Sequence, residues 1–138
     1  MVGIVIAAHG NFASGLLDAA TLIIGEQTNV FTIGLKHGDD IAGFGEALSA
    51  GVAKVDEGNG VLVLTDLFGA SPYNQAVMLS RKMEKLNYQL LTGVNLPMLL
   101  QALNDRMLDK GLEEMKANSK LAGQDGVVDF FAKLNKAK

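Results

Sequence analysis

Two stretches of the chain, Val2–Ala8 and Val61–Thr65, carry aliphatic side chains at nearly every position. A strand with one wet face alternates apolar and polar residues. An unbroken aliphatic run instead marks a strand covered on both faces, as in a parallel sheet with helices above and below. The intervals between the runs have helical spacing. Leu16, Leu17, Ala20, Ile23 and Ile24 form one apolar stripe that stops at Gly25. After a second strand at Asn29–Leu35, Asp39 or Asp40 caps a helix whose inner face is Ile41, Phe44, Leu48, Val52 and Val55. Gly43, Gly45 and Gly51 weaken that helix, each by about 1 kcal/mol against alanine. Ser71-Pro72 opens the next, with serine as cap and proline in the first turn. Tyr88–Thr92 reads as a fourth strand, and Leu96, Leu99, Leu100, Leu103 and Met107 as the stripe of a helix introduced by Pro97. Leu112, Met115 and Leu121 continue helically into a polar stretch, Asn118–Gly126, and Val127–Leu134 fits either a helix or a last strand. The pattern predicts an α/β fold: one doubly wound domain over residues 1–138 with a mainly parallel sheet.

Composition narrows what such a domain can do. Its 138 residues include 15 acidic and 12 basic side chains, for a net charge of -3, and 49% are apolar. That is enough for a real core. The mild negative charge gives no bulk attraction to nucleic acid or anionic lipid. Tryptophan is missing and there are only two tyrosines, so aromatic platforms for stacking bases are not expected either. Cysteine is absent, which removes disulfides, zinc–cysteine clusters and thiol catalysis. The apolar start, Met1–Ala8, has no basic leader and meets His9 too early for a signal peptide. No run approaches the ~20 apolar residues of a membrane span, so the expected location is cytoplasmic.

Ligands of open parallel sheets bind beyond the carboxyl ends of the strands, where the winding reverses. With strand one central and strand three beside it, Ala7-Ala8-His9-Gly10 and Thr65-Asp66-Leu67-Phe68-Gly69-Ala70-Ser71 face one crevice. Each residue also has a plain structural role: His9 as a polar strand end, Asp66 as a turn cap, Ser71 as a helix cap. His37, in the polar turn Lys36–Asp40, reads as a solvated turn residue. Together, however, imidazole, carboxylate, hydroxyl and two helix N-termini make an anion site without a P-loop, since no G-x-x-x-x-G-K-[ST] is present. Gly10 lets the backbone approach a ligand closely.

Three enzyme readings compete. A hydrolase using Ser71, His9 and Asp66 lacks the second glycine of G-x-S-x-G, and Pro72 has no N–H for an oxyanion hole. An aspartyl-phosphate receiver built on Asp66 wants an acidic pair after strand one, where Ala7-Ala8 stand. In the third, His9 accepts a phosphoryl group, Asp66 orients the ring and backbone N–H groups hold the phosphate; it needs no metal and no cofactor. A non-enzymatic sensor or anion-binding module would use the same pocket.

Three blocks, Ile4-Val5-Ile6-Ala7-Ala8-His9-Gly10, Thr65-Asp66-Leu67-Phe68-Gly69-Ala70-Ser71-Pro72-Tyr73-Asn74 and Thr92-Gly93-Val94-Asn95-Leu96-Pro97-Met98-Leu99, together resemble the IIA component of the mannose-family sugar phosphotransferase system. The likeness covers roughly residues 1–110. It implies a sheet of order 2-1-3-4 and a homodimer, with a C-terminal strand exchanged between subunits in the best-known members. It also implies that His9 takes phosphate from HPr and passes it to a IIB component, which serves the membrane components IIC and IID. Asp66 would be the hydrogen-bond partner of His9, and Ser71 with Gly10 and nearby amides the phosphoryl ligands. Carrier logic adds an apolar docking rim, for which Phe12, Leu67, Phe68 and Pro72 are the candidates. Ala70 stands where the family often has glycine and Tyr73 where it often has phenylalanine. The tail after about Leu112 matches poorly, and the end at Lys138 points to a stand-alone IIA protein.

Overall fold

Each aliphatic run becomes a strand, and the period-two alternation of its side chains feeds two separate cores. In a computed structural model, which describes residues 1–82 and 87–136, the elements are β1 (Gly3–His9), α1 (Phe12–Ile24), β2 (Val30–Leu35), α2 (Ile41–Val55), β3 (Val61–Thr65), α3 (Ser71–Lys82), β4 (Tyr88–Leu91), α4 (Leu96–Met107), α5 (Leu112–Asp125) and α6 (Phe130–Lys136). All pairings are parallel and the strand order is β2-β1-β3-β4. Ile4, Ile6 and Ala8 of β1, with Leu62 and Leu64 of β3, pack against α1, α4 and α5. Val5, Ala7, Val61 and Val63 point the other way, onto Phe44, Leu48 and Val52 of α2 and Ala76 and Leu79 of α3. Both faces are therefore covered, as the unbroken runs require. The central pair is sealed: Ile4–Ala8 and Val61–Leu64 have no exposed surface.

Several local readings shift. Strand two starts at Val30 and strand four stops at Leu91, each one residue inside the expected span. Asp40, rather than Asp39, caps α2, its Oδ2 accepting from the Gly43 N–H at 3.1 Å. Ser71 is not the cap of α3: the Ala70 carbonyl accepts the first helical bond, from Asn74 N–H, so the serine already lies in the first turn. Ile23, Ile41 and Met107, at or next to the ends of their helices, fall outside the cores and stay exposed. In the last turn of α4 the buried positions belong instead to Asp105 and Arg106. The polar stretch Asn118–Gly126 remains helical almost to its end, as α5. Val127–Leu134 supplies no strand here; its second half is in α6, which buries none of its residues. Among the described residues, no helix is long and apolar enough to cross a membrane.

Candidate functional site

Order β2-β1-β3-β4 puts the reversal of winding between β1 and β3, and their carboxyl ends deliver His9 and Asp66 to opposite sides of that one point. The β1–β3 ladder ends at the Ala7–Thr65 pair and β1 runs on beside β2 to the His9–Leu35 pair, so His9 closes one strand and Asp66 directly follows the other at the same end of the sheet. Asp66 Oδ2 accepts twice from the same residue, from the His9 backbone N–H at 3.0 Å and from ring Nδ1 at 2.8 Å. The His9 side chain is 46% exposed and that of Asp66 only 17%, so the carboxylate stands behind the ring.

The electrostatics fix the tautomer. Burial on its own would raise the Asp66 carboxyl, but the hydrogen bonds from the His9 backbone and ring, with the charge of the ring, outweigh it and hold the carboxyl below its ordinary value. An ionised carboxylate only accepts, so Nδ1 carries the proton, and in the neutral ring the lone pair lies on Nε2. The arrangement yields an oriented, half-exposed nitrogen nucleophile.

The surrounding backbone suits an anion. Gly10 adopts φ +57°, a conformation favouring glycine, and its N–H donates to the Leu35 carbonyl at 2.8 Å. Its own carbonyl lies so close to Gly34 that a β-carbon there would collide with it. Helix α1 begins immediately afterwards, and its N-terminus has no side-chain cap. By contrast, α2 is capped by Asp40 and α4 by Asn95, whose Oδ1 accepts from Met98 N–H at 3.0 Å. The unpaired N–H groups of α1 are thus left for an anion. His9, Gly10, Asn11, Leu35, Lys36 and His37 line an open depression of about 630 Å³.

The remaining candidates divide. Phe12, Leu67 and Phe68 are exposed, Phe68 at 74% and tilted against Tyr73 with ring centroids 5.1 Å apart. Pro72, unlike the other three rim candidates, is buried, in the first turn of α3. The Ser71 hydroxyl makes no hydrogen bond among the described residues, to His9 or to its helix, so no triad is assembled. His37 is exposed in its turn, as expected, but shares the depression with His9. Asn11 and Lys36 border the same depression, and neither is among the site candidates that the sequence offers. The signal was available for Lys36: it follows Leu35, the register partner of His9, in a strand whose carboxyl end must face the site. Among the described residues no cluster of three or more acidic or histidine side chains forms a metal site.

Fold and site together define an α/β domain that presents an aspartate-oriented histidine at the switch point of a four-stranded parallel sheet. A family model described as the PTS system fructose IIA component matches residues 3–120. The chain is 37% identical over 132 residues to the PTS system mannose-specific EIIAB component of Escherichia coli, a match covering 96% of this chain and 40% of that protein. It is 31% identical over 127 residues to the fructose-specific EIIA component of Bacillus subtilis, covering 90% of this chain and 86% of that one. The crystal structure of phosphotransferase system component EIIA from Streptococcus agalactiae superposes with a TM-score of 0.88 at 32% identity, over 96% of this chain and 99% of that one. The chain belongs to the mannose/fructose-type IIA family of the sugar phosphotransferase system, a family of phosphotransferase-type proteins. It spans about 40% of the length of the mannose-specific relatives. The likeness extends past residue 110, through most of α5.

Proposed function

We propose that the protein is a phosphohistidine carrier: His9 accepts a phosphoryl group from HPr and hands it to a IIB component. The observation that carries this reading is the 2.8 Å contact between His9 Nδ1 and Asp66 Oδ2, with the ring half exposed. In the forward step, the Nε2 lone pair of His9 attacks phosphorus while the P–N bond to the donor histidine breaks. The donor ring leaves neutral with the electron pair of that bond, and the His9 ring takes up cationic character. Asp66 stabilises that character without accepting the Nδ1 proton. The α1 N–H groups and the uncommitted Ser71 hydroxyl would share the spread negative charge, while Gly10, whose N–H is taken by the Leu35 carbonyl, leaves room for the phosphoryl group to approach the backbone. Nothing in the transfer asks for a metal or a cofactor.

Phe12, Leu67 and Phe68 supply a docking rim that is apolar and nearly uncharged, suited to two different partners in turn. The exposed Val127, Phe130 and Phe131 support a homodimer, since a second copy would cover them. The onward route to IIC and IID, and a cytoplasmic location, follow from this carrier role.

The test is labelling with phosphoenolpyruvate, enzyme I and HPr. One phosphoryl group per chain is expected, stable to alkali and lost in acid. His9→Ala should abolish the label and His37→Ala should leave it. An acid-stable product, or labelling that persists in His9→Ala, overturns the reading. A label that enters but never moves to a IIB protein would favour a sensor instead.

A further inference from the structure

An asparagine or aspartate followed by glycine or serine can be attacked at its own side chain by the next backbone nitrogen, because the small residue hinders the approach little. The chain has three such pairs, Asn59-Gly60, Asn118-Ser119 and Asp125-Gly126, and the fold treats them differently. Ser119 lies inside α5, where its N–H belongs to the helical ladder, and the Asn118 carboxamide donates to Asp105 Oδ2 at 2.9 Å. The Gly126 N–H donates to the Ala122 carbonyl at 2.9 Å. Asn59 is exposed, in the irregular turn between α2 and β3. Its Oδ1 accepts from the Met1 ammonium at 3.0 Å, and its Nδ2 donates to nothing among the described residues. The Gly60 N–H likewise has no acceptor among them, although bonds on either side are made: Gly58 N–H donates to Asp56 Oδ1 at 2.9 Å, and Gly3 N–H to the Gly60 carbonyl at 3.0 Å. Gly58 and Gly60, at φ +96° and +94°, flank the asparagine with the two most permissive backbone positions the turn could have.

We propose that Asn59 is a site of spontaneous deamidation, its Cγ attacked by the backbone nitrogen of Gly60. The bond from Gly60 N to Cγ forms and the Cγ–Nδ2 bond breaks. Nδ2 leaves as ammonia and takes up the proton that the Gly60 nitrogen gives up. Water then adds to one of the two carbonyls of the cyclic succinimide, and the C–N bond at that carbonyl breaks. One choice of carbonyl gives aspartate and the other isoaspartate. Either product places a new carboxylate in the depression of about 250 Å³ that Asn59 lines with Arg106 and Lys110. In isoaspartate the main chain runs through Cγ, which adds a carbon just before Gly60, where the chain enters β3 at the end of the sheet away from His9. The reaction does not depend on what His9 does.

The test uses the full chain, folded, at mildly alkaline pH, beside the same chain unfolded in urea. Isoelectric focusing should show a form with one extra negative charge, and peptide mapping should place the change at residue 59. Part of that peptide should accept methyl groups from a protein isoaspartate methyltransferase. Conversion of the folded chain should run within about tenfold of the unfolded rate, because no hydrogen bond has to open first. Asn118 should be slowed at least about a hundredfold by the helix around it. Asn59→Gln has a longer side chain that would have to close a larger ring, and it should remove the acidic form. Asn59 is exposed, so thermal unfolding of that variant should match wild type. An acidic form that persists in Asn59→Gln, or that maps to another residue, overturns the proposal. So does a folded chain that stays unconverted.

Discussion

One carboxylate oxygen does two jobs at the site. Asp66 Oδ2 anchors the last backbone N–H of β1 and orients the ring of that same residue, so strand end and nucleophile are set by a single atom. The other oxygen, Oδ1, is buried without a partner among the described residues, a cost tolerated at functional positions. Asp66→Asn keeps the shape and loses the charge. It should slow phosphorylation of His9 by roughly tenfold to a hundredfold, the rate equivalent of about 1.5–3 kcal/mol for a hydrogen bond to an ion, measured as initial rates with HPr. The same variant has a stability signature. A carboxyl held below its ordinary value contributes stability that is fully present above that value and lost as pH falls through the lowered one. Wild type should therefore lose more stability than Asp66→Asn between about pH 5 and pH 2, read by denaturant titration. Parallel acid limbs would contradict the ionised pairing. His9 and Asp66 were legible because the ends of two aliphatic runs name the residues that emerge. The hydrogen bond from Lys36 Nζ to Asn11 Oδ1, at 2.7 Å, was not, since a side chain reaching between loops leaves no periodic trace.

At the scale of elements, the misreadings share one physical cause: periodicity counts apolar residues, whereas burial follows geometry. Met107 fits the α4 stripe by spacing, but Arg106 takes the inner place because carbonyls surround it. Its Nη1 donates to Asn29 O at 3.0 Å and Val2 O at 3.3 Å, and its Nη2 to Thr28 O at 2.6 Å. The guanidinium thus ties α4 to the segments entering β1 and β2. Arg106→Ala should cost about 3 kcal/mol, as one buried and two part-buried hydrogen bonds to backbone carbonyls are lost with the buried guanidinium, measured by urea unfolding. It lies at the sheet end opposite His9, so the folded fraction should still take the label; a loss under about 1 kcal/mol would contradict the cross-link. Helix α5 was obscured for a related reason. Its contact with α4 uses small and polar residues: Gly123, where a β-carbon would lie 2.8 Å from Met98 Cε, and Asn118, which donates to Asp105 Oδ2 at 2.9 Å. Close approach of two helices replaces the leucines that a pattern search counts.

Seen whole, the domain is a rigid sheet with its reactive edge open. The pair β1 and β3 is sealed along its length and exposes only the residue at its end. The proposed carrier role would need this combination, because His9 would have to hold its geometry while two proteins approach it in turn. Strand order and the two-sided core were legible, one from the resemblance and the other from the unbroken aliphatic runs. The fate of the tail was not. Val127, Val128, Phe130 and Phe131 are apolar enough for a strand, yet they lie exposed on a single chain and in the loop and helix that end it. The claim at the centre of this account is that Asp66 occupies Nδ1 and leaves Nε2, on the open side, to carry phosphorus. Nitrogen-15 spectra of histidine-labelled protein, before and after phosphorylation, test it directly. The account predicts that His9 Nδ1 stays protonated while Nε2 gains coupling to phosphorus; phosphorus on Nδ1, or on Ser71, would contradict it.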